Sequence, residues 1–221
     1  MKRYYFVLSL LMLIIIFTQS FSVTAKNKRS IGNLSLDGKY AVILDGETGE
    51  VLYKKNAKTK CHNASTTKLM TAITAVEENA NLKKKVKISG NAAGQDGVKL
   101  GMYAGEKYYM KDLISAMLIL SACDCADAVA EGTSGSVNKF MKVMNKKVKK
   151  LGCKNTKFGT PSGLRSSNTH YTTAYDIALI TKYAYENKTL RNIIASERQA
   201  VERPLTTVLP AYIHIKNINM L

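Results

Sequence analysis

The stretch that most restricts the fold of this 221-residue chain is Ser65–Glu78, which reads STTKLMTAITAVEE. Its apolar side chains recur at the 3.6-residue period of an α-helix, at Leu69, Ala72, Ile73 and Val76. Asn63 or Ser65 could cap this helix, and the polar residues 79–81 would end it. A helix with this apolar face has to be buried, so the fold must surround it with other elements.

Ser65 and Lys68 suggest chemistry at the start of this helix. A lysine three residues after a serine projects from the same helix face and can remove the serine's proton. Burial would favour the neutral amine, and free backbone N–H groups at the helix start could hold a developing oxyanion. The same letters also suit an ordinary helix start whose lysine reaches out to solvent, so the pair alone leaves both interpretations open.

The N-terminal residues predict export. Lys2 and Arg3 precede an uncharged run over 4–17 and the small-residue site Val23–Ala25, a pattern typical of a secretory signal peptide over residues 1–25. The alternative is an uncleaved membrane anchor, but the apolar run is shorter than the ~20 residues that a spanning helix needs. Residues 26–35 then read as a basic tether and 36–221 as one domain. We expect the protein outside the cell, at the cell wall or on the outer face of the cytoplasmic membrane of a Gram-positive organism.

The charge balance concerns partners. The chain carries 33 Lys+Arg against 16 Asp+Glu, a formal net charge of +17. In an exported protein this excess fits anionic wall polymers or lipid head groups better than nucleic acid, and it also fits a lysine-rich surface with no particular partner.

The four cysteines predict neither a disulfide pattern nor a metal site. Export would permit disulfides, but sequence cannot give the pairing, so we leave Cys61, Cys123, Cys125 and Cys153 unpaired. The pairs Cys61-His62 and Cys123-Cys125 lack the CxxC spacing of structural zinc sites. We therefore predict no metal and no cofactor.

The remaining pattern is a hairpin followed by helices. Strands at 40–44 and 50–53 flank a turn-rich connector, and a further strand is expected within 83–89, followed by loops over 90–105. Helical periodicity or capping signals cover 111–120, 136–151 and 173–185, and residues 203–221 are rich in β-branched side chains. This mixture predicts an α+β fold.

Two of these segments resemble motifs of a known family. NASTTKLMTA at 63–72 resembles the first active-site motif of the serine D-alanyl-D-alanine carboxypeptidases of peptidase family S11, the low-molecular-mass penicillin-binding proteins, whose signature is Ser-x-x-Lys. LILSACDCADAVAE at 118–131 resembles their second motif, in which a serine follows an apolar helix. Stretches similar to the family follow in the family's order at 144–152, 155–158, 161–164 and 170–176.

The resemblance implies a fold and a reaction. The fold would be the αβα, β-lactamase/transpeptidase-like arrangement, with helices packed on an antiparallel sheet. Ser65 would attack the penultimate D-alanine carbonyl of a peptidoglycan stem pentapeptide, Lys68 would take its proton, and Ser121 would relay a proton to the leaving D-alanine. The reaction serves cell wall biosynthesis and remodelling, and β-lactams would acylate Ser65.

The chain departs from the family pattern at two places. Cys123 stands where the family usually has the asparagine of its second motif, so contacts to substrate amides should weaken. A nucleophilic role for this thiol is not expected, because Asp124 beside it is no activator. The second departure is the family's Lys-Thr-Gly motif, which does not occur in the 221 residues.

The resemblance places the end of the chain just before this motif. Asn217–Leu221 resembles the Asn-Thr-Asn-x-Leu segment that precedes the Lys-Thr-Gly strand in the family. We therefore expect 36–221 to be a partial domain without its C-terminal strands. The lysine that would hold the substrate carboxylate and one oxyanion N–H would be missing with them.

Two alternatives belong to other functional classes. One is a non-catalytic exported protein that adheres to the wall by its positive charge, with salt-sensitive binding that survives Ser65→Ala. The other is a β-lactamase of the same fold, which rapid hydrolysis of a chromogenic cephalosporin would reveal.

Overall fold

The helix behind Ser65 forms as its periodicity predicts. In the computed structural model, which describes residues 31–32, 34–78, 81–164, 169–204 and 211–218, it is α1 (Thr67–Glu78), entered through a 3₁₀ turn, Ala64–Thr66. Residue 63 precedes the turn but makes no capping hydrogen bond with its side chain. Helix α1 contacts four other helices, so the burial expected from its apolar face is confirmed.

Six more helices follow α1 in the described residues: α2 (Gly90–Ala93), α3 (Met110–Ile119), α4 (Cys123–Ser134), α5 (Val137–Lys150), α6 (Ala174–Glu186) and α7 (Lys188–Ile194). Side chains begin two of them, since Ser136 Oγ accepts from Lys139 N and Thr173 Oγ1 accepts from Asp176 N. The carboxylate of Asp176 does not complete a capping box, because it accepts from the 155–156 backbone and hydroxyl groups instead. The helices around α1 are thus α3, α4, α5 and α6.

The described strands make three antiparallel pairs: β1 (Ala41–Leu44) with β2 (Val51–Lys55), β3 (Lys85–Lys87) with β4 (Lys107–Tyr109), and β5 (Arg198–Glu202) with β6 (Tyr212–Lys216). The predicted hairpin is confirmed as β1–β2, and Asp45 shapes its turn by accepting from Thr48 N at 2.7 Å. Helices separate the three pairs along the chain, and the described strands do not join into one sheet. The α+β class is confirmed.

Two expectations need correction or completion. The prediction of loops throughout 90–105 was wrong at its start, where Ser89 Oγ accepts from Ala92 N and begins the short helix α2. The β-branched end segment supplies β6, which pairs with β5, a strand that the sequence did not indicate.

The predicted signal peptide, 1–25, and the tether residues 26–30 and 33 lie outside the described residues. The described end of the tether lies along the hairpin, because Ile31 N donates to Leu52 O at 3.2 Å and Tyr53 OH donates to Leu34 O at 3.0 Å. In the part of the chain that the structure covers, no helix has the length and apolar character needed to cross a bilayer.

Candidate active site

Ser65 and Lys68 meet at the start of α1. Lys68 Nζ donates to Ser65 Oγ at 3.1 Å, and the lysine is 2% exposed while the serine is accessible to solvent. The 3₁₀ turn and the first turn of α1 place both side chains on one face, as the three-residue spacing predicts. An accessible nucleophile with a buried amine behind it is the arrangement needed for acyl transfer.

Two further groups surround the Lys68 amine. It donates to Ser162 O at 2.9 Å and to Cys123 Sγ at 3.6 Å. Burial lowers the pKa of Lys68 below its ordinary value, while the neighbouring Cys123 side chain and the negative charge of Asp127 act in the opposite direction. The lowered pKa makes the neutral amine, the form that can accept the Ser65 proton, easier to form than in an exposed lysine.

The second motif, at 118–131, contacts Lys68 through the thiol of Cys123. Cys123 is the first residue of α4, and its thiol also donates to Ser121 O at 3.9 Å. Ser121 lies just before this helix with φ +63°, an unusual conformation for a residue with a side chain. Within the described residues its hydroxyl makes no hydrogen bond to Ser65 or Lys68.

The side chains of Cys123 and Asp124, which are adjacent in sequence, have different partners. The carboxylate of Asp124 accepts from Leu100 N and Gly101 N, both at 3.0 Å. It therefore holds the 97–101 loop, while the thiol contacts the amine of Lys68. Sequence spacing could not show this, because Lys68 and Cys123 are 55 residues apart.

The loop after α5 contributes residues that the sequence analysis missed. Ser162 supplies the carbonyl for Lys68, and Gly163 lies so close to the first motif that an added Cβ would overlap Ala64 O. Ala64, directly before Ser65, has φ +42°. Backbone packing therefore fixes the residue before Ser65 in a strained conformation.

A cavity of about 630 Å³ adjoins the site. Ser162 lies in its wall, and polar side chains from two neighbouring segments complete much of the lining: Asn91, Gln95, Asp127 and Glu131. Asn91 Nδ2 donates to Glu131 Oε1 at 2.9 Å, which fixes two of these side chains relative to each other. The cavity offers hydrogen-bonding groups within a strongly basic protein.

The cysteines carry free thiols and belong to no metal centre in the described residues. Cys125 and Cys153 are fully buried, and Cys61 is partly exposed. Across the described ranges, no three His, Cys, Asp or Glu side chains come together as a metal site would require.

Comparison with known proteins gives consistent results. A family model described as D-alanyl-D-alanine carboxypeptidase matches residues 24–221. The D-alanyl-D-alanine carboxypeptidase DacF of Bacillus subtilis is 36% identical over 186 residues, which are 82% of this chain and 47% of that relative. The chain spans about half the length of the curated relatives that it matches.

Solved structures show the same similarity. The D-alanyl-D-alanine carboxypeptidase DacD of Francisella tularensis has a TM-score of 0.72 at 32% identity, over 76% of this chain and 42% of that one. The DD-transpeptidase of Streptomyces K15 has a TM-score of 0.79 at 25% identity, over 86% of this chain and 76% of that one. The described part of the chain thus has the fold expected from its motifs.

Proposed function

Because this chain belongs to the D-alanyl-D-alanine carboxypeptidase family, we propose that Ser65 forms an acyl-enzyme with the D-alanyl-D-alanine end of a peptidoglycan stem peptide. Hydrolysis of this ester then yields a peptide shortened by one D-alanine. The observation that carries the proposal is the 3.1 Å contact between Ser65 Oγ and the amine of Lys68, which is buried.

The proposed reaction has two steps. Neutral Lys68 takes the proton of Ser65 as Oγ attacks the penultimate D-alanine carbonyl, and the tetrahedral carbon expels D-alanine once its nitrogen gains a proton through Ser121. Water then attacks the ester, Lys68 accepts a proton from it, and Ser65 Oγ leaves as the protonated hydroxyl. The backbone N–H of Ser65 is suited to holding the oxyanion of both intermediates, because the N–H groups of Thr66 and Thr67 already donate to Asn63 O and Ala64 O.

The cavity beside Ser162 is the proposed position of the stem peptide. Its amide and carboxylate side chains can hydrogen-bond the peptide groups that precede the acylated residue. At the position proposed to contact substrate amides, Cys123 offers a thiol, a weak donor and acceptor, and this thiol is already engaged with Lys68 and Ser121 O. We therefore expect modest affinity for amide substrates at this point.

The proposed location and further partners rest on charge and on the N-terminal sequence. We place the protein outside the cytoplasmic membrane, at the wall of a Gram-positive organism. Exposed lysines along α5 offer a surface for anionic wall polymers or lipid head groups, at Lys139, Lys142, Lys146, Lys149 and Lys150.

Intact-mass spectrometry after incubation with benzylpenicillin tests the proposal. A β-lactam opens on serine without a leaving group, so the wild-type protein should gain the mass of one whole penicillin. The matched control is Ser65→Ala, which should gain nothing. Release of D-alanine from a stem pentapeptide then tests the second step.

The alternative functions give different results. No adduct on a folded wild-type protein, together with salt-sensitive binding to cell walls that Ser65→Ala retains, would replace the enzyme by a wall-binding protein. Rapid turnover of a chromogenic cephalosporin, with no lasting adduct, would identify a β-lactamase.

A further inference from the structure

His170 is a buried, titratable side chain that the proposed reaction does not use. It is 1% exposed, and its ring packs edge-on against Phe158 with the centroids 6.0 Å apart. Burial is the main cause that lowers the pKa of His170, and the nearby His62 lowers it further. The ring is therefore a neutral imidazole with one N–H donor and one acceptor nitrogen.

The hydrogen bonds of this ring determine its tautomer. Gly159 N donates to His170 Nδ1 at 2.9 Å, and a backbone N–H can only donate, so Nδ1 carries no proton. The proton must then be on Nε2, which lies 3.1 Å from Thr67 Oγ1. His170 consequently donates to the hydroxyl of Thr67.

The Thr67 hydroxyl connects this donor to the residue before the nucleophile. It donates to Ala64 O at 2.7 Å and also accepts from Asn63 Nδ2 at 2.7 Å. With the contribution of His170, both of its lone pairs and its proton are used. We call Asn63, Ala64, Thr67 and His170 the Thr67 network.

The Thr67 network acts on a strained backbone. Ala64 has φ +42°, a conformation that costs energy in a residue with a side chain. Its carbonyl accepts from the Thr67 hydroxyl, and Gly163 packs closely against both groups. A change at Ala64 would rotate Ser65 relative to Lys68, because Ser65 is the next residue.

The segment that carries His170 is itself fixed to the first motif. Thr172 and Cys61 exchange backbone hydrogen bonds at 2.8 and 2.9 Å, and His62 Nδ1 donates to His170 O at 3.3 Å. His170 therefore approaches Thr67 from an anchored strand-like segment. Its donor is held in place before substrate arrives.

We propose that His170 is a positioning residue for Ser65: its Nε2–H fixes the Thr67 hydroxyl, which holds Ala64 in the conformation that presents Ser65 Oγ to Lys68. The inference deepens the proposed acylation of Ser65 and rests on it. His170 touches neither Ser65 nor Lys68 by a hydrogen bond in the described residues, so its effect passes through Thr67.

Two substitutions test the hydrogen bonds of the two ring nitrogens separately. The amide oxygen of His170→Asn can replace Nδ1 and accept from Gly159 N, but its side chain is too short to reach Thr67. The amide nitrogen of His170→Gln can replace Nε2 and donate to Thr67, but it loses the bond from Gly159. Each substitution therefore removes one of the two hydrogen bonds that the buried His170 ring makes.

The first experiment measures the rate of acylation by benzylpenicillin at saturation, separately from the dissociation constant of the preceding complex. We expect His170→Gln to stay within about threefold of wild type and His170→Asn to fall about tenfold or more in rate with little change in binding. Thr67→Val should fall equally, and the His170→Asn, Thr67→Val double variant should fall no further. Melting temperatures of all variants identify any that fail to fold.

A second readout does not depend on penicillin. In Ser65→Cys, the Lys68 amine should promote alkylation of the introduced thiol, and peptide mass mapping follows that thiol alone. Adding His170→Asn should slow this alkylation, whereas adding His170→Gln should not.

The outcomes distinguish the two proposals. If the two His170 substitutions differ in their effect on alkylation of the Ser65→Cys thiol, while penicillin does not acylate the protein that retains Ser65, the proposed function is overturned and the positioning role is supported. Equal losses in the Asn and Gln variants, or a faster rate in the Asn variant, would show that His170 only fills space and would overturn the inference.

Discussion

The chemistry of Lys68 depends on the balance between burial and nearby negative charge. Burial lowers its pKa, and the Asp127 carboxylate raises it part of the way back. Asp127→Asn removes this charge with little change in size, so we expect the acid limb of the acylation rate to move to lower pH. The pH dependence of penicillin acylation measures the shift.

The matched control is Glu131→Gln. Glu131 lies one helical turn after Asp127 on α4 and lines the same cavity, but it is not among the charges that shift the pKa of Lys68. Glu131→Gln should leave the acid limb of the acylation rate at the same pH as in wild type. An equal shift in both variants would mean that the general field of the cavity, and not the charge of Asp127, sets the profile.

Ser121 combines a proposed chemical role with backbone strain. Its φ of +63° favours glycine, so Ser121→Gly should be more stable than Ser121→Ala. We expect its free energy of unfolding to be higher by up to about 1 kcal/mol. Neither variant has a hydroxyl, so both should slow release of D-alanine to the same extent if Ser121 relays the proton. Calorimetry and D-alanine release measure the two effects.

A different result for Ser121 would be informative. Wild-type turnover in Ser121→Ala would remove the relay role. Such a result would direct attention to Cys123, since its thiol is the side chain of the second motif that contacts Lys68.

Among the larger elements, the start of α1 depends on the loop that follows α5. Gly163 has φ +76°, and a Cβ there would overlap Ala64 O and stand 2.6 Å from Thr67 Oγ1. Backbone atoms cannot yield as a flexible side chain can, so Gly163→Ala should cost about 3 kcal/mol or more of stability and abolish acylation. Chemical denaturation and penicillin labelling measure both losses.

The control for Gly163 is Gly135→Ala. Gly135 follows α4 with a similar φ of +78°, but nothing lies within 4 Å of its added Cβ. It should cost only the backbone strain, about 1 kcal/mol, and leave acylation intact. Similar losses at the two glycines would show that conformation alone, and not the contact with Ala64, makes Gly163 necessary.

For the molecule as a whole, the buried thiols report on cooperative unfolding. Burial, with a smaller contribution from Asp176, raises the pKa of Cys153 to about 12, and burial also raises the pKa of Cys125. At pH 8 we expect iodoacetamide to modify Cys61 in the native protein, while Cys125 and Cys153 react only when the protein unfolds. Peptide mass mapping across a urea gradient measures each rate.

The raised pKa of Cys153 also affects the stability of the protein at alkaline pH. A folded-state pKa above the ordinary 9.0 means that the stability contributed by the protonated Cys153 is complete below pH 9 and is lost as the pH rises toward about 12. Cys153→Ala should therefore show a weaker alkaline loss of stability than wild type. If iodoacetamide modified Cys153 in the native protein as fast as Cys61, the prediction of cooperative unfolding would be wrong. The result would indicate local opening near Asp176.

The sequence by itself determined the local features of this protein. The 3.6-residue period predicts α1, and the three-residue spacing places Ser65 and Lys68 on one face. Ser136 and Thr173 mark helix starts because their hydroxyls accept from backbone N–H groups three residues later. These interactions join residues close in the chain, so their geometry follows from spacing and residue type.

Only the tertiary structure decided how the site is completed. Lys68 reaches Cys123 and Ser162 across 55 and 94 residues, and Thr67 reaches His170 across 103. No local pattern encodes such contacts, because they depend on how α1 packs between other helices and on where the loop after α5 passes. The spacing of Ser65 and Lys68 provides the proposed reacting pair, but packing buries the amine and holds the serine against it.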